Sequence, residues 1–535
     1  MSADGEEIGG SPQITRNPSP PPELCQNDEV HGDSIGQTAF SKHWLFTTLM
    51  KLIQEVDKEN EGKEAAETEF GVDVDEDLQN ELCKLWDMSM NPEVAVFLQE
   101  FKAVEILSGV IAKSKAPRVT EICVGILGNM ACDKEICKAI TGSDKLVKMI
   151  VMMVENPDTP TLVETTRLVY TCMSNREAGS TWISSIKSDS SFFTNICFIL
   201  HSSTNTDLLK NTGELVDALL DQDEELCGGW ATQELVESLL EAVKQIGYSH
   251  SETLETFMHI FQLLSTSEEG VAALVLCADV LQIPLLKYLL SVCEYEIVGL
   301  DGHEGCLASA LSVLNVLYSS SPDVVDKLSS APDLIRILLK ILEPLFPLLP
   351  ENSEKLNNIS KYSNSVTNHP DKSSEEESEK TESNANGHIT KDTVDTEGAE
   401  ENQMSTEEVA GPTPAESRTT EAEVHKYRLL YGVLQDFLHD VVVSLVTDED
   451  DAHDTPNPPL FISVLNYLNS NCSRARINYM LLSFHEVKDS EVDPTDHLFH
   501  LCEKYSQDRL RRIVQDFKEG EIFFRSDSLN MEDKR

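Results

Sequence analysis

Apolar residues recur at steps of three and four in the stretch 117–132, PRVTEICVGILGNMAC. This spacing places them on one side of a helix. Pro117 suits the first helical turn, where its missing N–H would have no helical partner. Gly125 and Gly128 each cost a helix roughly 1 kcal/mol relative to alanine, which indicates close approach by a neighbouring helix. The apolar residues of the stretch are Val119, Ile122, Cys123, Ile126, Leu127 and Met130.

The same pattern returns 43 residues later in PTLVETTRLVYTCMS, residues 160–174. Similar apolar helices follow at 208–219, 254–264 and 307–317. Recurrence at about 40–47 residues is typical of HEAT and armadillo arrays, whose units bury their apolar faces by stacking. The sequence therefore predicts an all-α, armadillo/HEAT-like α-solenoid. An irregular helical bundle is the alternative.

Two tracts lack any hydrophobic period, and they set the predicted domain division. Such segments bury too little apolar surface to offset the entropy of ordering. Trp86 is predicted to close the open end of the stack, because a terminal repeat needs a cap. The division is a disordered N-terminal arm (1–37), an armadillo-like domain (38–350), a disordered acidic linker rich in Ser, Thr and Glu (351–424), C-terminal helices packing on the solenoid (425–525) and a disordered tail (526–535).

Apolar residues at helical spacing also occur in segments outside the repeat helices quoted above. We predict that these segments are helices as well. Ser41 is placed to cap the first of them. The predicted helices are 41–56, 78–90, 93–101, 104–113, 424–446, 461–468, 477–484 and 497–517.

The chain has 93 Asp and Glu against 42 Lys and Arg, a formal net charge of −51. Such a surface repels phosphate backbones, so we expect no direct binding of nucleic acid and favour protein partners with basic segments. Thirteen cysteines without a CxxC pair are typical of a reduced compartment. Residues 1–35 do not resemble a signal peptide, and charged residues and a proline interrupt the apolar run 271–290. We therefore expect no membrane association.

No motif predicts catalysis, a cofactor or a metal. His497 and His500 could share a helix face, but Cys502 would point elsewhere, and no second ligand pair is near in sequence. The GILG run that begins at Gly125 lacks the strand and lysine of a phosphate-binding loop. An active site built from residues distant in sequence remains open as an alternative.

Asn129 is the candidate partner-binding residue. Armadillo transport receptors hold peptide backbones with one asparagine per repeat, and Asn129 fits one such position. The aligned positions in later repeats are Cys172, Ala218, Leu263 and Val316, so the asparagine series is incomplete. A structural hydrogen-bonding role for Asn129 is the alternative.

Three serines are candidate phosphorylation sites. Ser19 precedes a proline, which suits a proline-directed kinase, while Ser373 and Ser374 precede glutamates by three residues, which suits an acidophilic kinase. The alternative is that both tracts are unmodified solubilising segments.

Several runs resemble the serum amyloid A-like protein 1 family: SKHWLF at 41–46, WDMSM at 86–90, VAVFLQEF at 94–101 and EICVGILGNMAC at 121–132. The likeness continues more loosely to about residue 227. The resemblance implies an intracellular, largely nuclear, armadillo-like protein linked to promotion of cell proliferation, without known enzymatic activity. We expect a non-enzymatic interaction scaffold of the nucleus and cytoplasm. An importin-like transport adaptor and, third, a cryptic enzyme are the alternatives.

Overall fold

The computed structural model describes residues 32–60, 74–248, 252–293, 300–320, 332–349, 421–447, 458–484 and 494–519. Within these residues the protein is helical and has no strand, as the all-α prediction requires. The helices are α1 Lys42–Asn60, α2 Glu76–Met88, α3 Pro92–Glu100, α4 Ala103–Ile111, α5 Pro117–Met130, α6 Lys134–Thr141, α7 Asp144–Met152, α8 Thr159–Met173, α9 Arg176–Ser188, α10 Phe192–Ser202, α11 Thr206–Gln222, α12 Glu224–Trp230, α13 Gln233–Ile246, α14 Glu252–Leu264, α15 Glu268–Leu276, α16 Ala278–Val292, α17 Glu304–Ser320, α18 Pro332–Leu348, α19 Glu421–Thr447, α20 Pro458–Asn471, α21 Arg474–Phe484, α22 Pro494–Lys504 and α23 508–519.

From α3 to α17 the helices fall into consecutive groups of three, each group forming one repeat. The third helix of each repeat packs on the third helix of the next, so that α5, α8, α11, α14 and α17 form a ladder. The second helices α10, α13 and α16 pack on one another beside it. α1 and α2 precede the first repeat, and α2 packs on α5 as the first rung. This is the armadillo arrangement, and it confirms the predicted solenoid.

Each repeat begins after a tight turn that a polar side chain stabilises. The first helices α3, α6, α9, α12 and α15 all start with a side chain that accepts hydrogen bonds from the unpaired N–H groups of the first turn. Such caps contribute about 1 kcal/mol each. The capping residues are Asn91, Asp133, Asn175, Asp223 and Ser267.

The glycines of α5 make the close contacts that the sequence predicted, but with side chains rather than with a helix backbone. A Cβ atom at Gly125 would overlap the indole ring of Trp86. A Cβ atom at Gly128 would lie 2.9 Å from Nη2 of Arg167. Trp86 is half-buried against α5, at the end of the ladder where the cap was predicted.

The sixth repeat is interrupted in sequence. α18 packs on α16 as a second helix, and α19 packs on α17 as the next rung of the ladder. α18 and α19 also pack on each other, although residues 350–420 separate them along the chain. α21 then packs on α18, and α22 packs on α19. The sequence division at residue 350 thus falls inside a repeat, and the later helices extend the stack.

Two segments differ from the sequence-based expectation. The predicted N-terminal arm includes residues 33–37, yet Ile35 is buried and Asp33 accepts hydrogen bonds from the Ser41 hydroxyl and the His43 N–H. The single helix expected over 497–517 is two helices, α22 and α23. Ser506 between them has φ 56°, a left-handed conformation that ends a helix.

Candidate functional site

The ladder has one side that the first and second helices of the repeats leave uncovered. On α8 its partly exposed residues fall at helical spacing, as the series Val163, Arg167, Tyr170 and Ser174 shows. Corresponding series run along α11 and α14. We call this side the open face. It extends across several repeats, and it is the surface on which armadillo-type arrays present side chains to partners.

Asn129 lies at the end of α5 on the open face, and its amide group makes contacts within the chain. Nδ2 donates to the carbonyl oxygen of Trp86 (3.1 Å) and to Oγ of Ser89 (3.0 Å). Oδ1 accepts from Nη1 of Arg167 (3.1 Å). Asn129 thus connects three consecutive rungs. Binding of a partner by Asn129 stays a prediction, and it would require exchange of at least one of these bonds.

Arg167 is the central side chain of this network, and the sequence reasoning missed it. Its Nη2 donates to the carbonyl oxygen of Gly125 (3.0 Å), and its Nε donates to Oε2 of Glu164 (2.8 Å). The 43-residue offset aligns Arg167 with Val124, so nothing in the repeat pattern marked it. The two helix-interior glycines were the available signal, because they leave room for a long side chain over the backbone.

Glu164 is a carboxylate held in a largely dry position. Its side chain is 12 % exposed, and burial raises its pKa above the ordinary value, while the neighbouring Arg167 guanidinium acts in the opposite direction. One rung earlier, Arg118 pairs with the buried Glu121 at 2.6 Å. The first rungs therefore carry paired charges and present little net charge to a partner.

The next rungs differ, because carboxylates dominate the open face of α11 and α14. Burial raises the pKa of Glu214; the positive charge of Lys210 opposes that shift, and the negative charges of Glu252 and Asp217 add to it. Lys210, 3.8 Å from Glu214, is the lysine that the structure places beside them. We call these carboxylates the acidic stripe: Glu214, Asp217 and Asp221 on α11, with Glu252 and Glu255 on α14.

His259 of α14 lies within the acidic stripe. Its Nδ1 is 2.6 Å from Oδ1 of Asp217. The hydrogen bond to Asp217 raises the pKa of His259, burial opposes that shift, and the charges of Asp221 and Glu255 add to it. The carboxylates of the stripe thus favour a positive charge in their midst.

The positions that follow Asn129 in the repeat pattern do not supply further amide groups. Cys172 is buried, and Ala218, Leu263 and Val316 are partly exposed. The side chains of Ala218, Leu263 and Val316 leave only small or apolar groups accessible at these positions.

The other predicted sites lie apart from the open face or outside the described residues. Cys502 is buried, which raises its pKa to about 12, while the side chain of His500 is 75 % exposed. In the described part of the chain, no three His, Cys, Asp or Glu side chains are grouped to hold a metal. Ser19, Ser373 and Ser374 lie outside the described residues.

The apolar run around residue 280 forms part of the helical stack. Across the described segments, no single helix has the length and apolar content to cross a membrane. α15 and α16 reach that length and apolar content only when taken together, and the two helices are bent by 88° where they meet. Leu274, Leu281, Leu285 and Leu289 of this pair are buried, and the two helices pack on α13 and α17.

Comparisons with known proteins identify relatives over most of the chain. A family model described as the SAAL1 C-terminal domain matches residues 192–516. Protein saal1 of Danio rerio is 43% identical over 337 residues, which cover 59% of this chain and 71% of the relative. Protein SAAL1 of Homo sapiens is 38% identical over 379 residues, covering 64% and 80%.

Solved structures with a similar backbone have low sequence identity. A designed armadillo repeat protein, YIII(Dq)4CqI, aligns with a TM-score of 0.35 at 14% identity, covering 50% of this chain and 99% of that one. The crystal structure of Uso1-1 aligns with a TM-score of 0.41 at 11% identity, covering 91% and 65%.

Proposed function

This chain belongs to the SAAL1 family, and we propose that it acts as a non-enzymatic scaffold whose open face binds basic segments of partner proteins. The acidic stripe is the observation that carries this proposal. Its five carboxylates lie on two neighbouring rungs, with Lys210 and His259 as the cations among them.

A lysine- or arginine-rich segment lying across α11 and α14 would relieve the repulsion within the stripe. The raised pKa of Glu214 reflects burial and the nearby carboxylates, so an incoming cation lowers the free energy of the ionised form. The net charge of −51 would also attract such a segment over distance and speed its association. Salt weakens both effects, since the Debye length falls to about 3 Å at 1 M.

An importin-like adaptor is the less favoured function. It would hold the peptide backbone with a series of asparagines, whereas Asn129 is bonded to Trp86, Ser89 and Arg167 and has no asparagine at the aligned later positions. The carboxylates of the acidic stripe would instead bind the basic side chains of a peptide and not its backbone.

The cellular part of the proposal follows from the family resemblance. We place the protein in the nucleus and cytoplasm, where its reduced cysteines are stable, and assign it a role in promoting cell proliferation. Phosphorylation of Ser19, Ser373 and Ser374 would add negative charge and so compete with or reinforce the attraction of basic partners.

Fluorescence anisotropy with the full-length protein tests the binding surface. The probe is a fluorescein-labelled twelve-residue peptide of alternating Lys and Ser. We expect binding at 50 mM salt that weakens at least tenfold at 500 mM. Replacing Asp221→Asn together with Glu252→Gln, both exposed, should weaken binding about fivefold.

A matched pair on the outer helix α13, Glu234→Gln with Glu237→Gln, removes the same charge from two other exposed positions. If this pair weakens binding as much as the stripe pair does, only the overall charge matters and the open face is not the site.

A further inference from the structure

A groove with a volume of about 670 Å³ lies where the ends of α4 and α7 meet the start of α5, away from the acidic stripe. It is lined on one side by Ile111 and Ala112, at the end of α4, and on the other by α7 and the turn after it. Three methionines and two lysines of this second side dominate the lining: Met149, Met152, Met153, Lys145 and Lys148.

The two lysines are positive groups without a carboxylate partner in the described part of the chain. Other lysines of the protein form such pairs, for example Lys51 with Glu81 and Lys187 with Asp223. Lys145 and Lys148 are both exposed and lie three residues apart on α7, so their ammonium groups can face one side. In a chain with 93 acidic residues, two adjacent lysines that form no ion pair make this part of the surface locally more basic than the rest.

The surrounding sequence is likewise more basic than the rest of the chain. Residues 101–150 contain eight Lys and Arg against five Asp and Glu, whereas the whole chain has 42 against 93. Arg118 and Lys138 of this region are already paired with glutamates. The lysines of the groove remain available to a ligand.

Glu155 is the carboxylate that lines the groove, and its side chain is engaged elsewhere. Its Oε1 accepts from Oγ of Ser191 at 2.5 Å, at the start of α10. It is therefore held toward the next repeat, and no hydrogen bond or ion pair joins it to Lys145 or Lys148 in the described structure.

The methionines supply an adaptable apolar floor. Met152 is 60 % exposed, and Met149 and Met153 beside it are partly exposed, so the three form one accessible apolar patch. Methionine is flexible and polarisable, and it is common on surfaces that accept varied apolar groups. A bulky aliphatic or aromatic side chain that covers Met152 would remove this surface from water.

We propose that this groove docks an acidic amphipathic segment of a partner protein, with one bulky apolar side chain on the methionines and two carboxylates on Lys145 and Lys148. Charge complementarity selects this occupant, because the groove is basic within an acidic protein. Two carboxylates one helical turn apart on the partner would match the spacing of the two lysines. The site is independent of the open face and attracts ligands of the opposite charge.

Anisotropy with full-length protein tests this docking. The probe is a fluorescein-labelled peptide, EELLEDFLEELA, and the competitor has the same sequence with every Leu and Phe replaced by Ser. We expect the probe to bind and the competitor to displace it at least tenfold less well. Lys145→Glu with Lys148→Glu, and separately Met152→Asp, should each weaken probe binding at least tenfold.

Lys84→Glu with Lys426→Glu is the matched control, since it makes the same charge change at exposed positions outside the groove. Equal loss with this control, or unchanged binding by the Lys145→Glu, Lys148→Glu variant, would overturn the proposal. A peptide of residues 371–382, which lacks apolar anchors, should compete poorly. Competition equal to that of unlabelled EELLEDFLEELA would also overturn the proposal, because the groove would then accept any acidic tract.

Discussion

Arg167 on α8 and Gly125 on α5 are joined by a hydrogen bond between rungs, from Nη2 to the glycine carbonyl oxygen at 3.0 Å. A carbonyl group in the middle of a helix already accepts from the N–H four residues on, and its second lone pair can accept this further bond. The absence of a side chain at Gly125 makes room for the ring of Trp86, and its absence at Gly128 makes room for the guanidinium of Arg167. Side chains from α2 and α8 thus hold the first rungs together by contacting the backbone of α5.

Gly125→Ala should destabilise the protein by about 1–3 kcal/mol, because the added Cβ overlaps the Trp86 ring and the core must shift. Urea denaturation of the full-length protein measures this change. Gly109→Ala in α4 is the control: nothing lies within 4 Å of its added Cβ, so we expect equal or slightly higher stability. If Gly125→Ala left the free energy of unfolding unchanged, the close approach of Trp86 to α5 would not be needed for stability.

Ile126→Asp should lower the free energy of unfolding by several kcal/mol, which is comparable to the whole stability of many domains. Ile126 is fully buried between the rungs, so an aspartate there would either be an unpaired buried charge or take up a proton, and both states cost free energy. Ile126→Val should cost only about 1 kcal/mol by loss of one methylene. Thermal melts of the two variants would be expected to differ clearly, and similar melts would contradict a central role for α5.

Arg167→Met should destabilise the fold in a pH-dependent manner. Burial already raises the pKa of Glu164, so its ionised form weakens the fold as pH rises through that pKa. Removing Arg167 takes away the charge that opposes this shift, and the pKa should rise further. The loss of stability, about 1–3 kcal/mol, should therefore be larger at pH 7 than at pH 4. Denaturation at both pH values measures it. In a Glu164→Gln background, the Arg167→Met change should cost the same at both pH values.

Asp217→Asn should lower the pKa of His259 toward its ordinary value. The hydrogen bond to Asp217 is the largest cause of the raised pKa in the folded protein. Its stabilisation is fully present below the unfolded pKa and is lost as pH rises through the folded pKa, so wild type and variant should differ most near pH 5.5 and least near pH 9. With the side chain 40 % exposed, the difference should stay within about 1 kcal/mol. NMR titration of the His259 ring proton follows the pKa directly; an unchanged titration would contradict the contact.

Much of the helical order could be read from local pattern. Pro117 and the apolar series after it predicted α5, and the 43-residue offset to residues 160–174 predicted α8 and the repeat itself. These signals are local or periodic. They are visible in the sequence because every helix must carry apolar residues at helical spacing to pack on the next helix. The acidic stripe could be anticipated only as overall charge, since its members come from two helices about 40 residues apart.

The sequence by itself determined the helices, their repeat length and the acidic character of the chain, because helical period and charge are carried by neighbouring residues. Only the tertiary structure decided that α18 and α19 belong to one repeat across residues 350–420, and that Arg167 of the next rung donates a hydrogen bond to Asn129. These outcomes depend on which helix faces pack together and on how far a long side chain reaches between them. No local pattern encodes that information.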